Sequence, residues 1–179
     1  MSNKSQGYTL WLTGLSGAGK TTIAVALAEQ LALRQEKFER LDGDLVRESL
    51  TRDLGFSEAD RRMNIERVSF VAKLLSKHGV GVLASFISPY QSLRDHVRAE
   101  TTNFIEVYVN APLEICIERD VKGLYTRALA GEIPNFTGIS DIYEPPLNPD
   151  IELHTDLETV TESVEKILTY LEQQGFIAS

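Results

Sequence analysis

One cysteine, one tryptophan and two methionines occur in 179 residues, and no apolar run approaches the length of a membrane span. The lone thiol, Cys116, lies in the apolar helical stretch "LEICIERD". Neither a disulfide framework nor a thiolate metal site can form within one chain, and a small buried core residue is the expected role. A span needs about 20 consecutive apolar residues, so the expectation is a soluble, cytoplasmic protein with no membrane partner. Basic residues are scarce too: 18 Lys and Arg face 26 Asp and Glu, for a net charge of -8. That balance excludes broad attraction to nucleic acid or to an anionic membrane, so any bound anion must be held locally.

What is present is a core. With 42% hydrophobic residues, residues 1–179 read as a single domain. Short apolar runs alternate with longer helical patterns, which predicts an α/β fold, a parallel five-stranded sheet with helices on both faces. The strands are expected at 9–13, 38–42, 80–85, 104–110 and 151–154. A first helix should begin at Lys20, with Ile23, Leu27 and Leu31 on one stripe. A long helix should start at Ser57, where "SEAD" is a capping-box variant, and end near His78. A last one should cover 159–174. Residues 121–148 break this rhythm with three glycines and three prolines. A long insertion of that kind inside a compact domain is usually functional or disordered; Phe136, Ile139 and Tyr143 argue for an ordered lid.

"GLSGAGKTT", comprising Gly14, Leu15, Ser16, Gly17, Ala18, Gly19, Lys20, Thr21 and Thr22, fits the phosphate-loop pattern between a strand and a helix. In that P-loop context successive backbone N–H groups cradle phosphates, the lysine reaches the β- and γ-phosphates, and Thr21 offers a hydroxyl to Mg²⁺. The alternative is a glycine-rich turn without ligand. No Asn-Lys-x-Asp guanine reader follows the fourth strand, which ends "VYVNAPLE", so ATP is favoured over GTP. The third strand ends "ASFISPY", with serines at 85 and 88 where a motor ATPase carries its magnesium carboxylate. A small-molecule kinase fits best, with a non-catalytic nucleotide-sensing module as the other class.

The acceptor should sit at the carboxyl ends of the strands. "LDGD" places Asp42 and Asp44 there, with Arg47 one turn on. An aspartate at that edge can take a hydroxyl proton or hold magnesium through water, and Asp44 is the candidate base; "DGD" read as a helix-capping turn is the competing view. Arg61 and Asn64 extend the buried stripe of the long helix by one turn, so that its start should overhang the cleft. A solvated helix start explains Arg61 equally well.

These stretches, together with "DLGFS", "FISPY", "VYVNAPLEIC", "RDVKGLY", "AGEI" and "NFTGI", resemble adenylylsulfate kinase, in order along nearly the whole chain. The resemblance implies transfer of the γ-phosphoryl group of ATP to the 3′-hydroxyl of adenylyl sulfate, with Mg²⁺ on Thr21 and, through water, on Asp42 or Asp44. It implies an acceptor site of Asp44, Arg47, Phe56, Arg61, Asn64, Ile87, Ser88, Lys122, Asn135 and Phe136, with the two phenylalanines sandwiching adenine. Arg119 is implied on the ATP side and Lys122 in catalysis. Ser88 either binds substrate or transiently carries the phosphate. A homodimer is implied as well. Leu45, Leu129 and Ile142 depart from residues common in the family, which bears on acceptor affinity and lid kinetics.

Overall fold

A computed structural model describes residues 6–178. Five strands, β1 (Tyr8–Thr13), β2 (Phe38–Asp42), β3 (Gly81–Ser85), β4 (Phe104–Asn110) and β5 (Ile151–His154), form one parallel sheet in the order β2-β3-β1-β4-β5. The helices are α1 (Lys20–Leu33), α2 (Gly43–Glu48), α3 (Glu58–Lys77), α4 (Gln91–Glu100), α5 (Leu113–Arg119), α6 (Leu124–Leu129) and α7 (Val160–Gln173). The fold is the α/β P-loop architecture expected, with strand ends within a residue or so of the predicted ones.

The central strand shows why both faces must be covered. Along β1, Tyr8, Leu10 and Leu12 point to one side and Trp11 to the other, and all are buried. Leu10 and Leu12 pack with Leu27 and Leu31 of α1 and Ile167 and Leu171 of α7. Trp11 packs with Val68 and Ala72 of α3, Leu93 and Val97 of α4, and Phe86, on which it stacks with ring centroids 5.3 Å apart. Each such aliphatic side chain contributes roughly 1.5–3 kcal/mol by leaving water. Cys116 is fully buried in the first of these cores, as expected of it. Right-handed crossovers place α1 and α3 on opposite faces because the strand order reverses at β2.

Helix starts are fixed chemically. Ser57 accepts from the Asp60 amide at 3.1 Å and opens α3 where predicted. Thr159 and Glu162 form a reciprocal capping box at α7. The periodic pattern does not delimit α2, α4 and α5, each of ten residues or fewer. Between 121 and 148 the chain is irregular apart from α6 and an isolated bridge of Thr137 with Asp141.

Candidate active site

All five strands end at one edge, and there they open a cleft of about 930 Å³. The phosphate loop forms its floor. Gly14 has φ +156, and a Cβ there would stand 2.4 Å from the Val109 carbonyl oxygen, so the β1 end can pass β4 only as glycine. Gly19 at φ +103 ends the loop and lets α1 begin at Lys20. Lys20 is buried and donates to the carbonyls of Gly14 at 2.9 Å and Leu15 at 2.7 Å. Burial drives its pKa down to about 8. Ser16, Gly17, Gly19, Lys20, Thr21 and Thr22 line the cleft; Gly14, Leu15 and Ala18 do not.

The carboxylate absent from the end of β3 is supplied by its neighbour. Parallel register sets Asp42 beside Ser85, and the buried Asp42 carboxylate accepts from Ser85 Oγ at 3.0 Å, Thr21 Oγ1 at 2.9 Å and the Asp44 amide at 3.0 Å. Burial alone would raise its pKa, but the hydrogen bonds from the Asp44 amide and the two hydroxyls, with the charge of Arg40, hold it below the ordinary carboxylate value. An ionised carboxylate bonded to the phosphate-loop hydroxyl is an oxygen donor set that suits Mg²⁺. Among the described residues no group of three or more His, Cys, Asp or Glu stands together as a metal cage. One carboxylate, one hydroxyl, water and nucleotide oxygens are the usual magnesium complement at such a site.

Asp44 differs. It caps nothing with its side chain, is exposed to the cleft, and pairs with Lys122 from the lid. The capping-turn reading therefore belongs to Asp42, whose side chain closes the start of α2.

Around Asp44 stand the other expected acceptor residues. Arg47 lies over the Phe56 ring, 4.2 Å from its centroid, and donates to the Gly55 carbonyl at 3.0 Å. Phe56 is 60% exposed, a ring held ready on one side only. Phe136 meets Tyr125 edge-on, with centroids 5.1 Å apart. Asn64 is buried and lines the cleft, and its Oδ1 has no partner among the described residues, an acceptor whose desolvation a ligand donor would relieve. Arg61 does more than face solvent: it donates to the Phe56 carbonyl, to Thr137 Oγ1 at 2.8 Å and to the Asn135 carbonyl at 2.6 Å, joining α3 to the lid. Ile87 and Ser88 also line the cleft. Ser88 is 3% exposed at φ +41, and its Oγ accepts from Trp11 Nε1 at 3.0 Å. Its hydroxyl donates weakly to the Phe86 carbonyl at 3.5 Å, not to a side-chain base. Leu45, Leu129 and Ile142 are exposed and line no part of the cleft.

Several cleft residues escaped sequence reasoning. Thr155 and Val160, after β5, line the far end with Arg119. Thr155 donates to the Ala18 carbonyl at 2.7 Å, and Arg119 to the carbonyls of Gly17 at 3.2 Å and Thr155 at 2.6 Å, so the phosphate loop is braced from behind. Tyr125 of the lid donates to the Ser16 carbonyl at 2.8 Å. The rule that ligands meet strand ends would have singled out Thr155, since it directly follows a strand.

The sequence profile of the family described as Adenylylsulphate kinase matches residues 6–154. A probable adenylyl-sulfate kinase of Pseudomonas aeruginosa is 70% identical over 162 residues, 90% of this chain and 76% of that one. The adenylyl-sulfate kinase of Rippkaea orientalis is 61% identical over 175 residues, covering 98% of this chain and 97% of the relative. The structure of the Mycobacterium tuberculosis APS kinase in complex with AMPPNP and APS superposes with a TM-score of 0.90 at 42% identity, over 93% of this chain and 98% of that one. By its sequence and its fold alike, this chain belongs to the adenylylsulfate kinase family.

Proposed function

We propose that the protein catalyses transfer of the γ-phosphoryl group of ATP to the 3′-hydroxyl of adenylyl sulfate, giving ADP and 3′-phosphoadenylyl sulfate. The observation that carries this reading is the meeting, in one cleft, of an intact phosphate loop with Asp44, Arg47, Phe56, Arg61 and Asn64. ATP would lie on Gly14 to Thr22 with its base toward Arg119, Thr155 and Val160. Adenylyl sulfate would lie between Phe56 and Phe136, its anionic group near Arg47 and Arg61, and a donor of it on Asn64 Oδ1. The 3′-oxygen bonds to the γ-phosphorus as the bond to the β,γ-bridging oxygen breaks, and the hydroxyl proton passes to Asp44. Lys20 neutralises charge on the transferring group, and Lys122, released from Asp44, joins it from the lid. Mg²⁺ bound with the nucleotide, on Thr21 and through water on Asp42, would supply further neutralisation.

Direct transfer is supported at Ser88 by its surroundings. The hydroxyl bonds to Trp11 and the Phe86 carbonyl, and among the described residues no side-chain base bonds to it, so it lacks the activation a covalent intermediate needs. We assign Ser88 to the acceptor wall. Inversion at the γ-phosphorus is expected, and retention would mark a phosphoserine step.

The deciding assay follows ADP release with adenylyl sulfate against shikimate, gluconate and nucleosides. Turnover with adenylyl sulfate alone is expected; another preferred acceptor would make the protein a different small-molecule kinase, and no acceptor-dependent turnover would make it a nucleotide sensor. Asp44→Asn should lower kcat by about 10²- to 10⁴-fold while adenylyl sulfate binding is retained; near-normal turnover would remove Asp44 from the mechanism. The location proposed for it is the cytoplasm, where its co-substrate ATP is available. The homodimer suggested by the family is measurable by sedimentation.

A further inference from the structure

The acceptor wall is held from behind by one buried cation that takes no part in the chemistry above. Arg94, on α4, is 1% exposed. Its Nε donates to Glu106 Oε1 on β4 at 2.8 Å, Nη1 to the Ser88 carbonyl at 2.7 Å, and Nη2 to Gln91 Oε1 at 2.7 Å and the Glu144 carbonyl at 2.6 Å. Glu106 is itself buried and also meets Arg98, which reaches Asp150 at 3.1 Å. One planar guanidinium therefore joins the central sheet, the strand end at Ser88 and the returning leg of the lid at Glu144.

The segments it joins are strained or poised. Ser88 is not glycine yet holds φ +41, a conformation that persists only where its surroundings enforce it. Arg94 fixes its carbonyl and Trp11 its hydroxyl. Ile87 is fixed alongside, its carbonyl accepting from Thr13 Oγ1 at 2.7 Å, and that hydroxyl also meets Tyr143 of the lid at 2.9 Å. The Glu144 amide donates to the Pro89 carbonyl at 2.8 Å. We propose that Arg94 is a positioning residue for the phosphoryl acceptor, making the wall at Ile87 and Ser88 and the returning leg of the lid one rigid unit. Among the described residues, none of the guanidinium's hydrogen-bond partners lies in the ATP half of the cleft at the phosphate loop, α1, α5 or the start of α7.

This rests on the adenylyl sulfate reading, and the unsubstituted protein's turnover tests that separately. Arg94→Lys keeps a cation beside Glu106 but cannot donate to both carbonyls in the fork geometry. If it fails to fold, the double variant Arg94→Met with Glu106→Gln removes both buried charges and carries the same test. The expected result is a KM for adenylyl sulfate raised about tenfold or more, with KM for ATP within about twofold. Trp11 is the only tryptophan, so its emission should also shift in the ligand-free variant as Ser88 loosens, a readout independent of turnover. Both KM values moving together, neither moving in folded protein, or an unchanged Trp11 emission would overturn the proposal.

Discussion

At the scale of single residues, two carboxylates two positions apart have been given opposite environments. Asp42 is buried and bonded to two hydroxyls and an amide, while Asp44 is exposed to the cleft and pairs with the lid lysine Lys122. "DGD" displayed both acids, but which one is tied up in hydrogen bonds depended on Ser85 arriving from another strand. Since the folded pKa of Asp42 lies below its unfolded value, its contribution to stability is present above about pH 4 and is lost as pH falls through the folded value. Replacement by Asn should flatten the acid limb of the urea-denaturation profile. Lys20 carries the reverse sign. Its folded pKa near 8 lies below the unfolded value, so its burial penalty is fully present below pH 8 and relieved as pH rises toward about 10.4. ATP phosphates should restore the charge, so nucleotide binding is expected to take up a fraction of a proton at pH 8.5 and almost none at pH 6.5. Calorimetry in buffers of different ionisation enthalpy measures this; pH-independent uptake would contradict the assignment. Ser88→Ala should leave kcat within about tenfold and cost about 1 kcal/mol of stability from the orphaned Trp11 N–H, whereas abolished turnover in a folded variant would restore the phosphoserine route.

At the scale of elements, α3 ties fold to site. Its buried stripe of Ile65, Val68 and Ala72 was legible in the periodicity, and its cap at Ser57 in the motif. Because α3 precedes β3 and runs against it, its first turn projects past the sheet edge, which carries Arg61 and Asn64 into the cleft as the sequence suggested. That Arg61 binds the lid was not legible, since its partners Asn135 and Thr137 are distant in sequence. Ser57→Ala removes the cap at a cost of about 1 kcal/mol, readable as a lower urea midpoint. A rise of about twofold or more in KM for adenylyl sulfate should accompany it, with KM for ATP unchanged. Parallel changes in the two constants would mean that the start of α3 does not order the acceptor site. The lid is likewise more body than flap: Tyr125, Thr137, Tyr143 and Glu144 each bond to the phosphate loop, α3, β1 or the segment after β3.

At the scale of the whole molecule, the sheet is a platform with two unlike halves at one edge, so the ligands should stabilise it by mass action. An ATP analogue with Mg²⁺ at about 100 times its Kd should add about 2.7 kcal/mol, or roughly 5–10 °C in Tm for a chain of this size. Chelation with EDTA should remove a large part of that shift if Thr21 and Asp42 hold the ion; an EDTA-insensitive shift would place the metal outside nucleotide binding. The sequence by itself determined the element types, the parallel sheet and the phosphate loop, because periodicity, capping and glycine placement act over a few residues. It also displayed the motifs that carry the family. Only the tertiary structure decided that Ser85 supports Asp42, that Thr155 braces the phosphate loop and that Arg94 joins the Ser88 carbonyl to the lid. Those contacts depend on strand register and on chain segments tens of residues apart, and no local pattern encodes which polar groups such a fold will bring within hydrogen-bond reach.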